Sequence, residues 1–205
     1  MDEKYLINPS LLEVVYQKPL LNIAVMASGA GTNFEAIINS INSNDLNAKV
    51  SVLIVNKACN AIKIAKSNNI PYEYINHNDF DSRESFDIEI LKRISKYKVE
   101  GIVLAGWMRI LSVLFINEYK NKIINIHPSL LPAFKGSNAI EKALKYGCKI
   151  TGCTVHKVVE DIDSGEIIIQ AAVLIEDNET VDSLRLKIQK REHEIIVESI
   201  KIIAA

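Results

Sequence analysis

The sequence predicts an α/β fold: a mostly parallel sheet covered by helices, then an antiparallel hairpin and a long C-terminal helix. Three observations carry this. In the first half, short continuous apolar runs alternate with helix-like stretches, as parallel strands buried on both faces require. In the second half, two β-like runs stand only a short turn apart, which an antiparallel pair allows and a parallel crossover does not. The last stretch repeats apolar residues at helical spacing.

The elements follow in order. Apolar runs at 20–26, 50–55, 71–75, 101–105 and 122–126 read as strands, and 33–43, 60–69 and 83–97 between them as helices. A loop over 127–137 leads to a helix over 138–146. Strands over 150–159 and 166–175 flank the turn 160–165, and a helix runs from Val181 to Ile203 with Thr180 as its N-cap. Residues 1–19 stand outside this pattern as an N-terminal extension of a domain over 20–205; Ser10 followed by Glu13 reads as a capping box for a short helix.

Composition narrows the function. The chain has 205 residues, 48% hydrophobic and 24% charged, enough to bury a core. Its formal charge of −1 argues against a nucleic-acid partner held by a broad basic face. Three cysteines without a CxxC pair suggest a reduced, cytoplasmic setting rather than a disulfide framework. The acidic start, Met1-Asp2-Glu3-Lys4, does not read as a secretory signal, and no apolar run approaches the roughly 18 residues of a membrane span.

Four segments carry chemistry. Ser28-Gly29-Ala30-Gly31-Thr32-Asn33 follows the first apolar strand and opens a helix, where backbone amides and the helix dipole favour a phosphate. Phe34 in place of a third glycine, and Val55-Asn56 with no acid at the second strand's end, argue against a dinucleotide. A monophosphate site and a plain tight turn both fit. Asn125 and His127 alternate with Ile124 and Ile126, so they share one face at a strand's C-terminal end. An amide beside an imidazole suits an oxyanion hole, which outweighs the alternative of two satisfied core groups.

Glu160-Asp161-Ile162-Asp163-Ser164-Gly165 is acidic, as a solvated hairpin turn would be. Glu192 falls inside the apolar stripe Val181, Leu184, Ile188, Ile195, Ser199, and so needs either a salt bridge or a ligand. Arg83 opens a helix and reads as a surface arginine. Gly106-Trp107-Met108-Arg109-Ile110-Leu111 reads either as a strand end with an apolar plug or as the wall of a cleft for a flat heterocycle.

Taken together, MASGAGTNFEAI, FDSRE, LAGWMRIL, NIHPSLLPAFKG, TGCTVHKV, EDIDSGEIIIQ and Glu192-His193 closely resemble the folate-dependent phosphoribosylglycinamide formyltransferases, in order, from about Asn22 to the C-terminus. The resemblance implies a three-layer Rossmann-like formyltransferase fold and transfer of a formyl group from 10-formyltetrahydrofolate to glycinamide ribonucleotide, without a metal. It implies Asn125, His127 and Asp163 as the catalytic trio. Gly31, Thr32, Asn33 and Glu192 would hold the ribonucleotide. Arg83, Met108, Arg109, Ile110, Leu111 and Asn125, with Val159, Glu160, Asp161, Ile162 and Asp163, would hold the folate. Partners would be small molecules, with neither nucleic acid nor membrane, for a cytoplasmic monomer or homodimer. Trp107 stands where Phe is common, and residues 1–19 extend beyond shorter members.

The chemistry fits the residue types. A neutral amine attacking a formyl carbon generates an oxyanion, which Asn125 and a protonated His127 can stabilise. Asp163 near His127 would favour the imidazolium. His156 shares a strand face with Thr154 and faces the same cleft in this reading. A formyltetrahydrofolate hydrolase shares the trio but normally carries a regulatory domain that residues 1–19 cannot hold. Methionyl-tRNA formyltransferase needs further length and basic surface. An inactive binding module and a dinucleotide oxidoreductase are the readings from other classes.

Overall fold

A computed structural model describes residues 7–8 and 20–203. These form two compact units that divide between Asn125 and Ile126, with residues 7–8 joining the second. The short strand β1 is Ile7–Asn8. The expected capping box at Ser10 and Glu13 lies outside the described residues.

The first unit contains strands β2 (Leu21–Ala27), β3 (Ala48–Val55), β4 (Tyr72–Tyr74), β5 (Gly101–Leu104) and the start of β6 (Ile123–His127). Their order is β6-β5-β2-β3-β4, all parallel. Consecutive residues Ile23–Ala27 of β2 are wholly buried, as are Ile102 and Val103 of β5. Side chains that alternate between faces and are all buried mean that both faces are covered. Helices α1 (Thr32–Asn42) and α2 (Asn60–Ser67) pack on β3, and α3 (Arg83–Ile94) packs on α4 (Val113–Glu118). Ser82 caps α3 in a reciprocal box with Ser85.

Two departures from the sequence reading stand out in this unit. Helix α3 stops at Ile94, short of Tyr97. Helix α4 is an addition: its six residues are too few to show a period, and its N-cap Ser112, which accepts the Phe115 N–H at 3.3 Å, is the only local signal for it.

The second unit contains the end of β6, helix α5 (Ala139–Tyr146), strands β7 (Ile150–Lys157) and β8 (Ile167–Leu174), and α6 (Val181–Ile203). β7 and β8 pair antiparallel, as their short connection requires, and β1 adds to β8 through Ile7 opposite Ala171 and Asn8 opposite Gln170. On β8 the burial alternates cleanly, with Ile169, Ala171 and Val173 inside. Helix α6 packs on β7 and β8. Thr180 caps it as expected, its Oγ1 accepting the Ser183 N–H at 3.1 Å.

Candidate active site

The C-terminal end of β6 leads into a loop that polar contacts hold in place. Thr154 Oγ1, fully buried on β7, donates to the Ser129 carbonyl at 2.7 Å and accepts from Leu131 N at 3.1 Å and Gln170 Nε2 at 2.9 Å. That uses the full capacity of a hydroxyl, one donor and two acceptor positions. Gln170 Nε2 also reaches the Leu131 carbonyl at 3.0 Å, and Ser129 Oγ donates to the Ala133 carbonyl at 2.6 Å. Gly152 is required beneath the loop: a Cβ there would stand 1.9 Å from the Ala171 carbonyl oxygen and 2.9 Å from Leu130 Cδ2.

His127, buried at the end of β6, has two polar neighbours. Nε2 lies 2.9 Å from the Phe134 carbonyl oxygen, and Nδ1 lies 3.3 Å from Asp163 Oδ2. Both neighbours are acceptors. A neutral ring can donate to only one of them; an imidazolium can donate to both. Asp163 Oδ2 also accepts the Gly136 N–H at 2.8 Å, and its Oδ1 faces His156 Nε2 at 3.5 Å. His156 Nδ1 in turn lies 2.8 Å from the Lys157 carbonyl oxygen, so the same argument applies to its ring. The expected pair His127–Asp163 is therefore one side of a carboxylate shared by two imidazoles.

Two backbone features aim these groups. Asp163 sits at φ 47, in the left-handed region that Asp tolerates better than most residues. The β7–β8 register shifts between Val155 and His156, a bulge that redirects the strand next to His156. Burial works against the charge on Asp163, but the His156 and Gly136 hydrogen bonds and the charges of both imidazoles outweigh it. The carboxyl is held below the usual aspartate range.

Asn125 is half-buried on β6, two residues before His127, so strand alternation turns both to one face as the sequence implied. Val159, Glu160, Asp161 and Ile162 are exposed in the turn that ends at Asp163. Glu192 is half-buried on α6 near β7, where burial first, and then the charges of Glu192 and Glu194, push the Cys153 thiol up. The α6 residue most withdrawn from solvent among its charged ones is Arg191, which donates to Glu194 at 2.7 Å. Glu192 is four residues from both Ile188 and Ile196 and three from Ile195, all buried, so it lies half-buried within the apolar stripe of α6.

The glycine turn belongs to the first unit. Gly31 is the N-cap of α1 at φ 81, Asn33 is buried behind it, and Gly29 and Ala30 are exposed. As N-cap, Gly31 offers no side chain to the first N–H groups of α1, and such a helix start suits an anion. The turn is also tied to α2, since Asn60 Nδ2 donates to the Ala30 carbonyl at 3.0 Å.

The segment after β5 is shaped as a platform. Met108 and Ile110 are 75% and 45% exposed, while Trp107 and Leu111 are buried. The Trp107 ring stacks on Phe86 of α3 with centroids 6.1 Å apart and planes 3° from parallel. Trp107 therefore supports the platform from below, and Met108 and Ile110 form its open apolar surface together with the exposed Arg109. Arg83, exposed at the first position of α3, lies one turn before Asp87, whose carboxylate feels its charge.

Among the described residues, no group of three or more His, Cys, Asp or Glu is arranged to hold a metal ion, and no helix is long and apolar enough to cross a membrane.

Comparison with known proteins assigns the family. Residues 21–200 match the formyl transferase family model. The chain is 40% identical over 191 residues to the human trifunctional purine biosynthetic protein adenosine-3, covering 93% of this chain but 19% of that protein, so it spans about a fifth of that relative's length. It is 38% identical over 171 residues to phosphoribosylglycinamide formyltransferase of Bacillus subtilis, covering 83% of this chain and 88% of that one. The crystal structure of phosphoribosylglycinamide formyltransferase from Bacillus halodurans superposes with a TM-score of 0.87 at 38% identity, over 90% of this chain and 95% of that one. A fold built from these strands and matches of this extent place the chain in the formyl transferase family, among the phosphoribosylglycinamide formyltransferases.

Proposed function

We propose that the protein transfers the formyl group of 10-formyltetrahydrofolate to the primary amine of glycinamide ribonucleotide, a step of purine biosynthesis. The observation that carries the catalytic part is His127 at the end of β6 facing Asp163, which also faces His156 of β7, together with Asn125 on the strand face of His127. The amine attacks the formyl carbon, and the carbonyl electron pair moves onto oxygen. Asn125 and the imidazolium of His127 donate to that oxyanion, while Asp163 holds His127 in orientation and compensates its charge. Collapse of the intermediate expels the folate nitrogen, which takes up a proton from His127 or through water, and the former amine loses one. No side-chain nucleophile is needed.

The ribonucleotide phosphate is assigned to the backbone of Gly31, Thr32 and Asn33, and its glycinamide end to Glu192. The folate is assigned to the platform Met108–Leu111 and the turn Val159–Asp163, with Arg83 facing a carboxylate of its tail. The open apolar surface of Met108 and Ile110 supports this reading. We read residues 20–205 as carrying the reaction, and the protein as a cytoplasmic monomer or homodimer that acts on small molecules, away from nucleic acid and membrane. The near-balanced charge of −1 supports the last point.

The test is formyl transfer followed by absorbance, with and without the ribonucleotide. Wild-type protein is expected to consume the donor only when the acceptor is present. Asn125→Ala is expected to lose on the order of 10²–10³-fold in kcat, as for other lost oxyanion donors. Donor consumption in water alone at the same rate would overturn the transferase reading.

A further inference from the structure

The platform segment Gly106–Ser112 exposes apolar side chains on a loop, yet both of its ends are held by buried acceptors from elsewhere in the first unit. At the start, Ser28, 1% exposed, accepts the Met108 N–H on its Oγ at 2.9 Å. The Ser28 N–H donates in the opposite direction to the Gly106 carbonyl at 3.1 Å, closing a small ring around Gly106, which stands at φ 76. At the end, Asp87, also 1% exposed, accepts the Ser112 N–H on Oδ2 at 2.5 Å. Ser112 then caps α4.

Asp87 is an expensive residue to place there. Burial raises its carboxyl above the usual aspartate range, against the opposing effect of its bonds to Ser112 and the charge of Arg83. An apolar residue at position 87 would avoid that cost but would leave the Ser112 N–H without this acceptor. Ser28 and Asp87 come from β2's end and from α3, so neither bond is a by-product of local loop geometry.

We propose that Ser28 and Asp87 are positioning residues for the donor: they fix the two ends of the platform so that Met108, Arg109 and Ile110 meet the folate in one preset arrangement. This rests on the folate assignment above and extends it to two residues outside the contact surface. A loop already ordered loses less conformational freedom when the ligand binds, and the affinity gained that way depends on both anchors. Asp87 serves twice, since Arg83 stands one helical turn before it and depends on the same stretch of α3 for its position.

The experiment is calorimetric binding of tetrahydrofolate, the product form of the donor, to the full chain. Ser28→Ala and Asp87→Ala each remove one acceptor and are expected to weaken binding on the order of tenfold. Asp87→Asn keeps an acceptor oxygen for the Ser112 N–H and is expected to recover most of that loss, which a purely structural role for the charge would not produce. In steady state, Asp87→Ala is expected to raise the donor KM with a much smaller change in the acceptor KM. If wild-type protein fails to bind tetrahydrofolate, the folate assignment fails and the proposal with it. If wild type binds and both alanine variants bind within twofold of it, the anchoring proposal alone is wrong. Equal losses in Asp87→Asn and Asp87→Ala would also overturn it. If Asp87→Ala does not fold, Ser28→Ala decides alone: a loss on the order of tenfold supports the proposal and binding within twofold of wild type overturns it.

Discussion

Replacing Gly31 by alanine tests how the glycine turn is built. The residue stands at φ 81, where a side chain costs roughly 1–2 kcal/mol. The added Cβ would also lie 2.9 Å from Ala61 Cα, 3.0 Å from Ala61 Cβ and 3.1 Å from Ile64 Cδ1. The Ile64 methyl can turn away, but Ala61 Cα is backbone at the start of α2, so the two helix starts must part. Overpacking of this kind costs about 1–3 kcal/mol, which brings the total to about 2–5 kcal/mol. For a chain of this size each kcal/mol lowers the thermal midpoint by about 2–4 °C. Circular-dichroism melts of Gly31→Ala should therefore fall well below wild type. Gly29→Ala is the internal control: a Cβ there meets nothing within 4 Å, and the change in stability should stay within about 0.5 kcal/mol. Ribonucleotide binding should also weaken in Gly31→Ala, because parting the helix starts moves the amides of Thr32 and Asn33. Equal melting of the two variants would refute this account of the turn.

The remaining predictions concern charge. Asp163→Asn removes the negative group facing both imidazoles, and kcat should fall by about 10²–10⁴-fold while the substrate KM values change little. Part of the rate should return on acidification, and an unaltered pH–rate profile would argue against the coupling. Arg83→Ala should raise the folate KM far more than the ribonucleotide KM in steady-state assays; an equal effect on both would make Arg83 structural. Because the Asp163 carboxyl is held below the usual range, its ionised form stabilises the fold above pH about 4, and that contribution is lost as pH falls through its lowered value. Urea midpoints of wild type and Asp163→Asn should accordingly converge below pH about 4, and a gap that persists in acid would contradict the sign.

The strands of the first unit were legible because a strand buried on both faces cannot hide its composition: Ile23–Ala27 and Val52–Val55 are apolar without a break. The hairpin was legible from its spacing, and Thr180 from its place before an apolar stripe. What escaped had no local signal. β1 is two residues long and exists through its pairing with β8. The role of Ser28 depends on a partner 80 residues away, and that of Asp87 on one 25 residues away. Asn125 and His127 were legible from strand alternation and His156 from the face it shares with Thr154, whereas Asp163 came from the resemblance, and the meeting of its one carboxylate with both imidazoles is a product of the fold. Glu192 was legible because Ile188, Ile195 and Ile196 surround it at helical spacing, whereas the burial of Arg191 beside it had no signal in the pattern.

The most direct test of the central claim follows the formyl carbon itself. Donor labelled with carbon-13 in the formyl group is incubated with the protein and glycinamide ribonucleotide, and the products are read by NMR. The account predicts that the label appears as an N-formyl group on the glycinamide nitrogen, in amounts equal to the tetrahydrofolate released, and that Asp163→Asn slows its appearance. Label recovered as free formate, at a rate indifferent to the ribonucleotide, would contradict it.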